Sequence, residues 1–157
     1  MLFRSASALA VLEAELPRTL NASPVFSPVP IEDLEQSTAE WLETIADESY
    51  IVIAARASDS IVGFALACST SKSALHSGLL AVPNSVTLAQ VTIDPAWRGR
   101  GVARALAMAA IREARKRGFT AIVTDWRSTN LAADAAWRAL GFQPAAYRLQ
   151  RVIGPHG

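Results

Sequence analysis

Cysteine, histidine and long apolar runs are scarce in this chain of 157 residues. The single cysteine, Cys68, cannot form an internal disulfide, and its apolar surroundings (VGFALACS) favour a small buried side chain over a nucleophile. The two histidines, His76 and His156, have no spacing typical of a metal site. No apolar run approaches the roughly 20 residues of a membrane span, and Glu13 and Glu15 closely follow the short apolar start. We expect no metal, no membrane and a cytoplasmic location.

An excess of charge is also missing. The chain has 15 basic and 14 acidic residues and a net charge of +1, so its composition gives no global argument for nucleic acid or an anionic membrane. Hydrophobic residues make up 51% and charged residues 18%, which is typical of a globular protein. The length predicts one domain, 1–157, able to bury roughly 70% of its unfolded surface without disulfides.

Apolar periodicity switches along the chain between helical and strand-like spacing. Helices are predicted at residues 5–16, 31–46, 101–117 and 129–140. Strands are predicted at residues 50–57, 61–69, 85–94, 119–126 and 142–153, with a loop at 70–85. The order predicts an α/β fold with a mixed central sheet and helices on both faces, in which the unit from 86 to 126 is a parallel strand–helix–strand crossover.

Buried faces and caps follow from the same patterns. The second helix is expected to bury Ile31, Leu34, Trp41, Leu42 and Ile45. The third is expected to bury Val102, Ala105, Leu106, Ala109, Ala110 and Ala114. Ser128 or Thr129 is the expected N-cap of the fourth helix, with Asn130 in its first turn.

The stretch WRGRGVARAL, residues 97–106, places glycines and arginines in front of an alanine-rich helix. Glycine allows backbone angles that other residues avoid and lets a ligand approach closely. The helix N-terminus adds about half a positive charge. Together they predict an anion site, most simply for phosphates, which Arg98 and Arg100 would strengthen. A plain tight turn with solvent-exposed arginines is the alternative.

Two common nucleotide-binding patterns do not fit this stretch. The dinucleotide pattern G-x-G-x-x-G would need a third glycine where the chain has Arg104. The P-loop pattern needs GK[ST], which occurs nowhere in the sequence. The stretch does match R-x-x-G-x-A, formed by Arg98, Gly99, Arg100, Gly101, Val102 and Ala103.

A second pattern, N-x-x-A-x-x-x-(aromatic)-x-x-L-G-F, is formed downstream by Asn130, Ala133, Trp137, Leu140, Gly141 and Phe142. With R-x-x-G-x-A after a strand that ends in proline, it resembles the GNAT superfamily of acyl-CoA N-acyltransferases. The resemblance covers about residues 50–153. Residues 1–49 form a helical N-terminal part in which the family's first strand is missing or reduced to residues 1–4. The resemblance implies a GNAT-like fold and N-acetyltransferase activity.

The resemblance also implies how acetyl-CoA would bind as a co-substrate. It would lie where strands 86–94 and 119–126 splay apart, with its pyrophosphate held by the backbone N–H groups of residues 98–103. Val91, Thr92 and Ile93 would pair with the pantetheine, and an N–H near Val91 or Thr92 would polarise the thioester carbonyl. Asn130 would contact the cofactor arm. A primary amine would attack directly in a ternary complex, so the enzyme would act by positioning and charge stabilisation.

Two positions depart from the family pattern. Many members have a tyrosine at the position of Trp137 that protonates the leaving thiolate; indole cannot, so Trp137 would pack on pantetheine, donate a hydrogen bond to sulfur, or belong to the core. Gln90 stands where a glutamate often acts as base. Asp125, expected to be partly buried, is the nearest substitute base or amine ligand, unless it pairs with Arg127 or caps a turn. Tyr147, on the last strand, is a further candidate.

Three functions remain open from the sequence. An acyl-CoA-dependent N-acyltransferase with an unidentified amine acceptor is favoured. A non-catalytic acyl-CoA-binding module or sensor is supported by Trp137 and Gln90. A phosphate-binding or nucleic-acid-binding domain is opposed by the neutral charge and few aromatics. Family members often pair through sheet edges or C-terminal strands, which allows a homodimer.

Overall fold

The computed structural model describes residues 2–26, 29–72 and 82–147. Its helices are α1 (Leu2–Glu13), α2 (Glu15–Asn21), α3 (Leu34–Ala46), α4 (Val102–Lys116) and α5 (Leu131–Ala139). Its strands are β1 (Tyr50–Ala57), β2 (Ser60–Ser69), β3 (Ser85–Ile93) and β4 (Ala121–Val123). Short 3-10 turns, Thr70–Lys72 and Pro95–Trp97, follow β2 and β3.

The strands form a mixed sheet in the order β1-β2-β3-β4. The hairpin of β1 and β2 is antiparallel, as is the pairing of β2 with β3. β3 and β4 are parallel, and α4 connects them. The predicted hairpin and the predicted parallel strand–helix–strand unit are both confirmed.

Helices cover both faces of this sheet. Alternate residues of a strand point to opposite sides, so one strand contributes to a core on each face. Ala65 and Ala67 of β2 are fully buried in a core that includes Leu106 of α4. Phe64, which directly precedes Ala65 and so points to the other face, belongs to a second core with α1 and α3, where its ring centroid lies 4.9 Å from that of Trp41. The predicted α/β architecture with helices on both faces is confirmed.

The N-terminal part differs from the prediction of a single helix over residues 5–16. The structure has two helices, α1 and α2, separated at Ala14. Residues 2–4 belong to α1, so their interpretation as a remnant of a first strand is wrong. Pro17 lies early in α2, in the first turn, where its missing N–H costs no intrahelical hydrogen bond.

The helix predicted at residues 31–46 begins three residues late. The Asp33 side chain accepts hydrogen bonds from the backbone N–H groups of Glu35 and Gln36, at 2.9 and 3.4 Å, and so caps α3. Ile31 and Leu34 are 52% and 50% exposed, so their expected place in the core is wrong. Both side chains line a cavity instead.

α4 agrees with the predicted helix 101–117 to within one residue at each end. Its buried residues are Leu106, Ala107, Ala110 and Ala114. Ala105, expected in the core, is exposed, and Ala107 is fully buried in its place. An alanine-rich helix has little contrast between its faces, so apolar periodicity places its stripe only approximately.

The C-terminal part is less regular than predicted. β4 covers Ala121–Val123, much less than the predicted strand 119–126. Residues 142–147 form no strand, which contradicts the first half of the strand predicted at 142–153. The rest of that strand and residues 73–81 of the predicted loop lie outside the described residues.

Cys68 is buried in β2, and burial raises the pKa of its thiol. It therefore behaves as the small buried side chain that its sequence surroundings predict. Within the described ranges, no group of three or more His, Cys, Asp or Glu side chains could hold a metal ion. Within the same ranges, no helix combines the length and the apolar character needed to cross a membrane.

Candidate functional site

Only the beginning of β3 pairs with the short strand β4. Their parallel ladder has three residue pairs, from Ser85–Ala121 to Thr87–Val123. Immediately beyond it, the hydroxyl of Thr124 donates to the carbonyl oxygen of Leu88 at 3.0 Å. β3 then continues to Ile93 along β2, so its last residues extend past the end of the ladder with β4. The ladder therefore ends after Thr87 and Val123, and the expected splay beyond it stays a prediction.

The three strand residues predicted to bind the cofactor lie in this part of β3, past the ladder. Val91, Thr92 and Ile93 pair with Ala65, Phe64 and Gly63 of β2. Thr92 is buried and its hydroxyl accepts a hydrogen bond from the Gln90 amide at 3.0 Å. This pairing with β2 fixes the position of the last residues of β3, beyond the ladder with β4.

Two features of this strand were missed by sequence reasoning. Leu66 pairs with Gln90 and Ala67 pairs with Leu88, so Ala89 is an extra residue that forms a β-bulge. A bulge bends its strand and redirects the side chains that follow. Gly63 lies so near that a Cβ there would be 2.9 Å from the carbonyl oxygen of Thr92. An isolated glycine within a strand pattern signals such a close approach.

The glycine loop, residues 98–101, connects β3 to α4. Asp94 begins the turn before it, since its carboxylate accepts a hydrogen bond from Ala96 N at 2.8 Å. Gly99 and Gly101 have φ angles of 72° and 78°, in the left-handed region that favours glycine. A Cβ on either glycine would meet nothing within 4 Å, so the space above the loop is open.

The N-terminus of α4 starts at the end of this loop. Gly101 is the N-cap and supplies no side-chain hydrogen bond, and its carbonyl accepts from Ala105 N at 3.0 Å. The first N–H groups of an α-helix have no partner within the helix. Val102 and Ala103 carry two of them, directly beyond the open glycines. The loop and helix end therefore have the room and the donors that a pyrophosphate requires.

The two arginines of the loop have different surroundings. Arg98 Nη2 lies 3.6 Å from a carboxylate oxygen of Glu15 and 3.5 Å from the hydroxyl of Thr19, both on α2. The guanidinium carbon of Arg100 lies 4.9 Å from the ring centroid of Trp97. Both side chains are exposed.

Asn130 is the N-cap of α5, and the predicted cap at Ser128 or Thr129 is wrong by one or two residues. Its side-chain oxygen accepts a hydrogen bond from Ala133 N at 3.1 Å. The hydroxyl of Thr129 donates instead to the carbonyl of Val25, at 3.4 Å. The N–H groups of the Asn130 amide remain chemically suited to contact a cofactor arm.

The three predicted catalytic residues do not share one environment. Trp137 of α5 is half-buried against the core, and its ring centroid lies 5.5 Å from that of Phe142 in an edge-to-face contact. Asp125 follows β4 and is exposed, so the expectation that it is partly buried on a strand is wrong. Tyr147 is 82% exposed on a segment that forms no strand. None of the three has the buried, polar setting of an acid or base.

Comparison with known families and curated proteins extends this description. The sequence model of the Acetyltransferase (GNAT) family matches residues 14–142. The (ribosomal protein bS18)-alanine N-acetyltransferase of Escherichia coli (strain K12) is 36% identical over 67 residues, 43% of this chain and 45% of that protein. The mycothiol acetyltransferase of Nocardia farcinica (strain IFM 10152) is 40% identical over 55 residues, 35% of this chain and 18% of that protein. These matches span less than half of either curated relative.

Solved structures share the fold over nearly the whole chain. An aminoglycoside N-acetyltransferase in complex with CoA has a TM-score of 0.75 at 21% identity, over 98% of this chain and 91% of its own. A ribosomal-protein-alanine N-acetyltransferase from Brucella melitensis has a TM-score of 0.72 at 22% identity, over 93% and 83%. The structural likeness concerns the fold, and the family match covers most of the sequence. This chain belongs to the GNAT acetyltransferase family.

Proposed function

We propose that this protein transfers an acetyl group from acetyl-CoA, or another acyl group from the corresponding acyl-CoA, to a primary amine. One observation carries the proposal. β3 extends past its three residue pairs with β4, and this part of β3 is followed by the glycine loop and by the start of α4, which no side chain caps. A strand edge suits the extended, amide-containing pantetheine arm, and a row of N–H groups suits its pyrophosphate. The described residues place both features on one continuous segment of chain.

Each binding role is assigned to residues on this segment and on α5. The N–H groups of residues 98–103 hold the pyrophosphate, with Arg98 and Arg100 adding positive charge. Val91, Thr92 and Ile93 pair with the pantetheine along the separated edge of β3. Asn130 contacts the cofactor arm while it caps α5.

Acetyl-CoA supplies an activated thioester when it is bound. The chain contributes the N–H of Val91 or Thr92, which stabilises negative charge on the carbonyl oxygen. It also holds the amine beside the thioester, which lowers the entropic part of the barrier. A bond forms between nitrogen and the carbonyl carbon, the carbon–sulfur bond breaks, and the proton that leaves the nitrogen neutralises the departing thiolate.

Trp137 has the role of an aromatic wall in this proposal and not that of an acid. Its ring packs against the core and Phe142. Asp125 and Tyr147 stay predictions as base and acid, with the exposed positions described above. A non-catalytic acyl-CoA-binding module is the second candidate function, favoured by the packing of Trp137 and by the Gln90 amide.

The acceptor is proposed only as a primary amine. The curated and structural relatives are named for acceptors as different as a ribosomal protein and aminoglycosides. A cytoplasmic location is proposed because the only cysteine is a buried free thiol. A homodimer is proposed through β1, one of the two edge strands of the described sheet.

Two measurements on the full chain test the function. Thermal-shift titration should show stabilisation by CoA and acetyl-CoA that exceeds stabilisation by ATP. Release of free thiol from acetyl-CoA should then depend on an added primary amine. Stabilisation without amine-dependent thiol release would favour the binding module, and no stabilisation by CoA would overturn both functions.

A further inference from the structure

A cavity of about 350 Å³ lies between α1, α2, the segment before α3 and β3. Gln90 of β3 lines it, and Gln90 directly precedes the strand residues proposed to bind the thioester. The cavity therefore reaches the segment of β3 that extends past its ladder with β4. We name this space the amine cavity.

The rim of the amine cavity is apolar and unusually exposed. Val11, Ile31 and Leu34 all line it and are 53%, 52% and 50% exposed. A typical protein surface exposes large apolar side chains singly, whereas three of them surround this one opening. They suit a ligand that has an apolar body and enters the cavity from solvent.

A carboxylate, that of Glu13 on α1, also lines the cavity. Its Oε2 atom accepts hydrogen bonds from Ser37 Oγ at 2.7 Å and from Trp41 Nε1 at 2.9 Å. Trp41 and Ser37 are both buried, so the carboxylate is held in a fixed direction. Both donors are neutral, so neither of them places a positive charge beside the carboxylate.

The other charged groups that line the cavity are Glu32 and Arg18. Glu32 lines it too, and its pKa is raised first by partial loss of hydration and then by the charges of Glu40 and Glu13. Arg18 also lines it, but its guanidinium is paired with Glu15. A cation entering the cavity would thus meet carboxylates whose charge these contacts do not neutralise.

We propose that the amine cavity binds a protonated primary amine on an apolar body and that Glu13 is its carboxylate ligand and proton acceptor. This inference rests on the proposed acetyl transfer. The ammonium gives one proton to Glu13, the neutral nitrogen attacks the thioester carbon, and the carbon–sulfur bond breaks. The nitrogen's second proton neutralises the departing thiolate, and Glu13 returns its proton to water. Glu13 thereby supplies the carboxylate that Gln90 lacks.

The first test measures amine binding without acetyl-CoA. Phenethylamine carries an ammonium on an apolar body, and 2-phenylethanol is its uncharged analogue. We expect phenethylamine to bind the wild-type chain more tightly than 2-phenylethanol, by thermal shift and ligand-observed NMR. In Glu13→Gln we expect phenethylamine to bind at least about tenfold more weakly, since a charge-assisted contact is lost. The glutamine oxygen can still accept from Trp41, so the variant should fold.

The matched control is Glu43→Gln on α3, which removes one negative charge outside the cavity lining. Equal loss in both variants, or equal binding of the amine and the alcohol to the wild type, would overturn the proposal. A second readout separates this inference from the proposed function. We expect Glu13→Gln to bind CoA like the wild type while amine-dependent thiol release falls. Wild-type rates in Glu13→Gln would reject Glu13 alone, whereas absence of CoA binding in the wild type would reject acetyl transfer.

Discussion

Arg98 of the glycine loop lies 3.6 Å from the carboxylate of Glu15 on α2. The same guanidinium is 3.5 Å from Thr19, one turn further along that helix. α2 also lines the amine cavity, through residues that include Pro17 and Arg18. One ion pair therefore joins the proposed pyrophosphate cradle to a wall of the proposed acceptor site.

This ion pair predicts the effect of Glu15→Gln on CoA affinity. The carboxylate competes with a pyrophosphate for Arg98, and an exposed ion pair stabilises by at most about 1 kcal/mol. Its removal should tighten CoA binding by up to roughly fivefold, measured by calorimetry. The control is Glu113→Gln, which breaks pairs with Lys116 and Arg117 near the other end of α4. Weaker binding in Glu15→Gln would mean that Glu15 orients Arg98 for the ligand.

Asn130 is predicted to have two separable roles. Asn130→Ala removes the oxygen that accepts from Ala133 N and should lower the free energy of unfolding by about 1 kcal/mol. Asn130→Ser keeps an N-cap oxygen and should lose only a few tenths. Both variants lack the amide N–H donors, so both should bind CoA more weakly. Normal CoA affinity in a folded Asn130→Ser would limit this residue to capping.

The raised pKa of the Glu32 carboxyl predicts that the stability of the fold depends on pH. Partial loss of hydration and the charges of Glu40 and Glu13 raise its pKa above the ordinary value of 4.5. A carboxyl whose folded pKa is raised destabilises the fold above that pKa and has no such effect below its unfolded pKa. Glu32→Gln should therefore raise the melting temperature near neutral pH, and the gain should vanish at about pH 3.5. A gain that is the same at both pH values would contradict this electrostatic cause.

Much of the fold is predictable because its signals are local. The hairpin follows from two β-branched runs around a short polar turn, and α4 follows from its helical period and its closing glycine. The errors have a physical cause as well. Ile31 and Leu34 repeat with the apolar residues of α3, but a side chain lining an open cavity has the same sequence pattern as one in the core. β4 ends early because its length depends on contact with β3.

The candidate site also has parts that local sequence predicts and parts that it does not. The glycine loop is encoded in consecutive residues, and two motifs with a fixed spacing identify it. The cavity carboxylate is not so encoded, because Glu13 meets Ser37 and Trp41 across 24 and 28 residues of chain. The predicted N-cap of α5 was wrong by one or two residues because Ser128, Thr129 and Asn130 are all good N-cap residues, and only the structure decides among them.

The central claim, that the glycine loop holds the pyrophosphate of CoA, has an internal control at the other end of α4. Gly101 and Gly118 have φ angles of 78° and 85°, and a Cβ at either would meet nothing within 4 Å. Alanine at either position should therefore cost a similar 1–2 kcal/mol of stability, roughly, from backbone strain. Only the methyl group of Gly101→Ala would stand where a pyrophosphate must approach.

The most direct measurement is the dissociation constant of CoA for the wild type, Gly101→Ala and Gly118→Ala, determined by calorimetry below the melting transition. We predict that Gly118→Ala binds like the wild type and that Gly101→Ala binds at least about tenfold more weakly, through lost contacts between pyrophosphate and backbone N–H groups. Equal affinity in all three folded proteins would contradict the account.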